Sequence, residues 1–252
     1  MPAAYLFDLD GTLYQNSAAI PGAVDLIRRL KSQGTPFRFL TNTTSKARSA
    51  IVTRLGSYGF PVESHEVFTA LLAGAELARS LGCRRLLPLV PEQALEDLEG
   101  FELVGEPDAV LVGDLAEAWS FDLLQQGFAA LLKGARLIAL SRDRYWMTER
   151  GLTLDSGPFV ALLEDAAGVK ALVAGKPSAA FFEGAVESMS LPAGIPRSEI
   201  VMIGDDLRGD IAGAQAAGYA GYLVRTGKYQ EDQLQGSGIN PERILASVAE
   251  LL

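Results

Sequence analysis

Four short clusters in this sequence hold side chains that could act together. Asp8-Leu9-Asp10-Gly11-Thr12-Leu13 sets two carboxylates two residues apart. If extended backbone persists through them, they point to one side. Carboxylates that close repel, and both stay ionised only with a cation between them or a proton on one. That suits a metal site, or a nucleophile beside an acid. Thr41-Asn42-Thr43-Thr44-Ser45 offers hydroxyls, an amide and the N–H groups of a following helix, all able to hold phosphate oxygens. Gly175-Lys176-Pro177-Ser178 offers an ammonium group. Gly204-Asp205-Asp206-Leu207-Arg208-Gly209-Asp210 brings three more carboxylates.

Each cluster alone has a plainer reading. Asp and Gly favour turns. Ser and Thr cap helices. A loop lysine is usually solvated, and acids before a helix complement its dipole. What joins the four is the elements that must carry them. Apolar strand-like runs alternate with helical patterns, the signature of a parallel α/β fold. Strands are expected at Ala4 to Phe7, Phe37 to Leu40, Ala171 to Ala174, Ile200 to Ile203 and Gly221 to Val224. Helices are expected after Pro21-Gly22, with Val24, Ile27 and Leu30 at helical spacing, and from Ser45 to about Tyr58. Every cluster then follows a strand, and in open α/β sheets ligands bind outside the carboxyl ends of the strands. Residues 71–172 carry strand-like runs of their own (Leu86 to Val90, Ala109 to Val112, Leu137 to Leu140) and read as an insertion. The expected fold is a Rossmann-like parallel sheet core, residues 1–70 and 173–252, with an inserted α/β cap domain over 71–172.

Composition narrows the chemistry. The chain has 252 residues, 48% hydrophobic and 21% charged, as expected of a globular protein. A net charge of −9 disfavours nucleic acid and anionic membrane as partners. An acidic protein that handles phosphate needs local positive charge, so a metal ion is expected. The single cysteine, Cys83, and single histidine, His65, argue against a structural zinc site. No G-x-S-x-G elbow supports a serine hydrolase, and no G-x-G-x-x-G follows the first strand to support a dinucleotide enzyme. The N-terminal segment lacks a signal-peptide pattern and no apolar run would span a bilayer, so a cytoplasmic location is expected.

The four clusters, in this order and spacing, resemble the motifs of the haloacid dehalogenase superfamily. The insertion between the second and third resembles the α/β-capped branch of the pyridoxal-phosphate and 4-nitrophenyl-phosphate phosphatases. Within that branch, Gly151-Leu152-Thr153-Leu154-Asp155-Ser156-Gly157-Pro158-Phe159 and Val201-Met202-Ile203-Gly204-Asp205-Asp206 resemble the phospholysine, phosphohistidine and inorganic-pyrophosphate phosphatases. The resemblance implies a magnesium-dependent phosphatase acting on small phosphorylated metabolites. Asp8 would be the nucleophile that becomes an aspartyl-phosphate, and Asp10 the general acid and then base. Thr41 and Asn42 would hold phosphate, and Lys176 would balance charge. Mg2+ would be held by Asp8, Asp205 and the carbonyl of Asp10, with Asp206 and Asp210 supporting the acidic loop. Magnesium also fits as a hard cation held by carboxylates, water and phosphate. In the insertion, Ser141-Arg142-Asp143-Arg144-Tyr145-Trp146 is the expected substrate loop, Arg142 or Arg144 binding an anionic leaving group and Trp146 stacking on a ring. Capped relatives often pair, which leaves a homodimer open. A second reading, a phosphate- or partner-binding protein with a vestigial site, differs only in lacking turnover.

Overall fold

The computed structural model describes residues 2–103, 106–148 and 151–252. The chain divides into two compact units. One comprises Met1–Thr41, Ser49–Phe68 and Lys176–Leu252; the other comprises Asn42–Arg48 and Thr69–Gly175.

The first unit is built on a six-stranded sheet. Its strand order is Arg243–Leu245, Ala220–Val224, Ile200–Gly204, Ala4–Asp8, Phe37–Thr41 and Val67–Thr69. Ala4–Asp8 pairs in parallel with both neighbours, Phe7 opposite Ile203 and Asp8 opposite Leu40. All five of its residues are buried, as a strand covered on both faces must be. Phe7 and Phe39 are wholly buried. Removing each such ring from water is worth about 1.5–3 kcal/mol. Helix Ala23–Ser32 covers one face through Ala23, Leu26, Ile27 and Leu30; Ile27 and Leu30 lie where expected, while Val24 is only partly buried. Asp25 in its first turn and Arg29 and Lys31 in its last complement the helix dipole.

The order of the strands matters for function. From Ala4–Asp8 the chain moves to Phe37–Thr41 on one side. After Ile200–Gly204 it moves to Ala220–Val224 on the other. The strand order therefore reverses between Ala4–Asp8 and Ile200–Gly204, and at such a switch point ligands bind outside the carboxyl ends of the strands.

The second unit has a five-stranded sheet ordered Leu172–Val173, Arg136–Ala139, Ala109–Val112, Arg85–Leu89 and Glu102–Leu103, with parallel pairing throughout. Helices Phe121–Leu132 and Ser156–Ala167 pack on it through Ala130, Leu131, Val160 and Leu163. Trp119 stacks on Phe159 with ring centroids 3.9 Å apart. A separate antiparallel hairpin joins Tyr145–Thr148 to Gly151–Leu154. The helix expected from Ser45 begins only at Arg48 and ends at Ser57. The Thr41–Ser45 run is thus not its cap. Thr44 instead accepts the Asp114 backbone N–H through Oγ1 at 2.8 Å. Among the described residues, no helix is long and apolar enough to cross a membrane.

Candidate active site

Asp8 is the last residue of its strand, and Asp205 follows directly on the Ile200–Gly204 strand. The switch point of the sheet therefore sets them side by side. Asp210 comes from the turn of helix after Asp205, where Asp206 caps the backbone N–H groups of Arg208 and Gly209. Carboxylate oxygens of Asp8, Asp205 and Asp210 lie within 4.8 Å of one another, and all three residues are buried. Lys176 Nζ donates to Asp8 Oδ1 at 2.5 Å and to Asp210 Oδ1 at 2.7 Å. Asp210 Oδ2 accepts the Asp206 N–H at 3.1 Å, which ties the acidic loop to itself.

Asp10 is not on the strand. Extended structure stops at Asp8, and Gly11, at φ 85°, turns the chain. Asp10 bridges to Tyr14 through the backbone and its side chain reaches solvent. Thr41 ends the neighbouring strand and is buried. Asn42 belongs to the second unit, where its Oδ1 packs on Gly175, leaving no room for a side chain there. Arg142 and Trp146 also lie in the second unit. Arg142 makes two hydrogen bonds to Glu164, at 3.1 and 2.7 Å. Trp146 is 45% exposed on the hairpin.

Comparison with known proteins shows the family. A haloacid dehalogenase-like hydrolase model matches residues 5–103, and an HAD-hydrolase-like model matches residues 173–251. Haloacid dehalogenase-like hydrolase domain-containing protein 2 of Bos taurus is 42% identical over 227 residues, 90% of this chain and 85% of that protein. The chain belongs to the haloacid dehalogenase-like hydrolases. Human phospholysine phosphohistidine inorganic pyrophosphate phosphatase is 33% identical, over 97% of this hydrolase and 91% of that protein. Two solved structures share its fold. One is a 4-nitrophenylphosphatase from Thermotoga maritima (TM-score 0.90, 27% identity, 99% of this chain and 96% of that one). The other is a glycerol phosphate phosphatase from Mycobacterium tuberculosis in complex with calcium (TM-score 0.87, 29% identity, 99% and 74%). With these relatives, this hydrolase is a phosphatase, a phosphoric monoester hydrolase.

The electrostatics of the hydrolase site are unbalanced. Burial opposes charge on Lys176, but Asp210 and Asp8 outweigh it and hold the ammonium protonated. Burial pushes the Asp205 carboxyl up, and Asp8 and Asp210 push it further. Asp210 is also raised by its burial, with Lys176 pulling the other way and Asp8 adding repulsion. One ammonium does not compensate three buried carboxylates. The donors are all hard oxygens, so the residues present fit a divalent cation of the Mg2+ type. Asp10 is raised too, by desolvation and then by Asp8. Asp206 is lowered: burial works against its charge, but Lys228 and the Gly209 N–H prevail.

One part of the site escaped the sequence reading. Residues Thr226, Gly227 and Lys228 follow the Ala220–Val224 strand, so they too sit at a carboxyl end of the sheet. Lys228 donates its backbone N–H to Asp205 Oδ2 at 2.6 Å and its Nζ to Asp206 Oδ2 at 3.2 Å. Thr226 Oγ1 donates to the Gly11 carbonyl. Thr and Gly are common in turns, and a loop lysine is usually solvated. Only their place after a core strand could have marked them.

Proposed function

We propose that this chain hydrolyses small phosphomonoesters through a covalent phosphate on Asp8, with Mg2+ as its metal. The observation that carries this is the ammonium of Lys176 bridging Asp8 and Asp210, with Asp205 grouped beside them. A carboxylate held at the end of a rigid strand, with a lysine against it, is an oriented nucleophile.

In the first step an Asp8 oxygen attacks phosphorus. The bond from phosphorus to the leaving oxygen breaks, and that oxygen takes a proton from Asp10. In the second step Asp10, now a carboxylate, takes a proton from water. The water oxygen attacks phosphorus, and the bond to Asp8 breaks, releasing inorganic phosphate. Lys176 keeps the nucleophile oriented and offsets charge on the transferring group. Asp8, Asp205 and the Asp10 carbonyl are the groups that would hold Mg2+, which supplies positive charge between phosphate and carboxylates. Asp206 and Asp210 support that loop. Thr41 and Asn42 are assigned to phosphate oxygens.

Residues 1–70 and 173–252 form the catalytic core in this reading, and residues 71–172 the cap that selects the leaving group. Trp146, exposed on its hairpin, is assigned to that selection. Arg142, expected from the sequence to share it, is engaged by Glu164, and we assign it to holding the second unit together.

The test is phosphate release from a generic aryl phosphate with and without Mg2+. The wild type is expected to turn over only with the metal. Asp8→Asn is expected to lose at least about 10³-fold in kcat while keeping its fold. Full activity in that variant would remove Asp8 from the nucleophile's place.

A further inference from the structure

The Thr226-Gly227-Lys228 turn makes contacts that the motif residues do not account for. It reaches both acidic loops at once. The Lys228 backbone N–H holds Asp205 Oδ2 at 2.6 Å. Thr226 Oγ1 holds the carbonyl of Gly11, one residue past Asp10. Gly227 closes the gap between them. A methyl group there would collide with Asp205 Oδ2 and come within 2.7 Å of the Gly11 Cα. A methyl on Gly11 would strike the same carboxylate oxygen. Asp205 is thus clamped between two glycines, both at positive φ, with one oxygen fixed by a backbone donor. A carboxylate held this way has one orientation to offer, and the orientation of a ligand is what its supporting contacts fix in metal sites.

We propose that Thr226 and Gly227 are positioning residues for the metal: they fix the Asp205 carboxylate and the Asp10–Gly11 backbone in one arrangement. The inference rests on the metal site assigned above, and it adds residues outside the four motifs. The turn works by steric confinement and two donors. The ammonium of Lys228 is a separate matter, since it is mostly exposed and answers Asp206.

Mg2+ binding by isothermal titration calorimetry, on the full chain, tests it. Thr226→Val removes the donor and keeps the shape; Thr226→Ser keeps the donor; Gly227→Ala fills the cleft. Thr226→Val and Gly227→Ala are expected to weaken Mg2+ binding about 10–100-fold, the usual cost of losing an outer contact to a metal ligand. Thr226→Ser should bind as the wild type does. The split between kcat and the Mg2+ concentration for half-activation should follow, kcat recovering at high Mg2+ and the half-activation point shifting. Metal-free melting temperatures check that the variants fold. If Gly227→Ala does not fold, Thr226→Val decides. Unchanged Mg2+ affinity in the folded variants, with Asp205→Asn abolishing binding, overturns the positioning proposal alone. No binding of Mg2+ by the wild type overturns the metal site and this proposal with it.

Discussion

At the carboxyl end of the larger sheet, Asp8, Asp205 and Asp210 share the ammonium of Lys176. At the ends of the smaller sheet, acids are answered one by one. Glu164, buried, takes two hydrogen bonds from Arg142 and one from the Ala171 N–H. Asp114, also buried, accepts the Ala116 N–H. Asp108 takes the Arg85 guanidinium and the N–H groups of Arg84 and Arg85. Burial alone does not separate the two regions, since both bury carboxylates. Their charge balance does. A buried acid with a partner of its own is settled by folding, whereas a buried group of acids short of positive charge leaves a requirement for a ligand to meet.

The comparison breaks most easily at Lys176. Removing its ammonium strands Asp8 and Asp210 in the interior. Lys176→Met is expected to cost about 3–5 kcal/mol of stability at neutral pH without metal. Urea unfolding followed by circular dichroism would measure it. A loss below about 1 kcal/mol would mean that the carboxylates are not held charged against one another. The next effect is the answering one. Mg2+ should raise the melting temperature of the wild type, by about 2.7 kcal/mol of added stability at one hundred times its Kd. Asp205→Asn should lose that increment. Equal stabilisation of the variant would place the metal elsewhere.

Much of this contrast was legible in the sequence, because strands buried on both faces are written as continuous apolar runs. Ala4 to Phe7 and Ile200 to Ile203 announced both the sheet and the place where Asp8 and Asp205 emerge from it. Lys176 alone reads as a solvated loop lysine, and it was visible only because its cluster stands in order with the three others. Two features were hidden. The helix expected at Ser45 starts at Arg48, because Thr44 turns its hydroxyl to the Asp114 backbone. The Thr226–Lys228 turn acts through a backbone N–H, which leaves no mark in residue type, and through Gly227, which reads as an ordinary turn glycine. Arg142 shows the converse. Its place after a strand, among charges and aromatics, suggested a ligand, while its partner Glu164 lies 22 residues on, where no local pattern points to it.

Arg142 therefore gives the smallest but sharpest contrast with Lys176. Its hydrogen bonds hold the Glu164 carboxyl below the ordinary glutamate value of 4.5, against the opposing effect of burial and with help from the Ala171 N–H. A carboxylate whose pKa is lower folded than unfolded stabilises the protein above the unfolded value, and that contribution is lost as pH falls through the folded one. Because the Arg142 side chain is 39% exposed, solvent screens the pair and its worth is about 1 kcal/mol or less. Arg142→Met should lower stability by that amount at pH 7. The gap from wild type should shrink as the pH is taken below the ordinary glutamate value of 4.5 and through the lower folded one, where the wild type loses the same interaction. Its kcat/KM toward an aryl phosphate should stay within about twofold of wild type, since a guanidinium already held by a buried carboxylate is not free to bind a leaving group without undoing that pair. A tenfold rise in KM with unchanged stability would return Arg142 to the substrate and show that the second unit, like the first, keeps charge in reserve for a ligand.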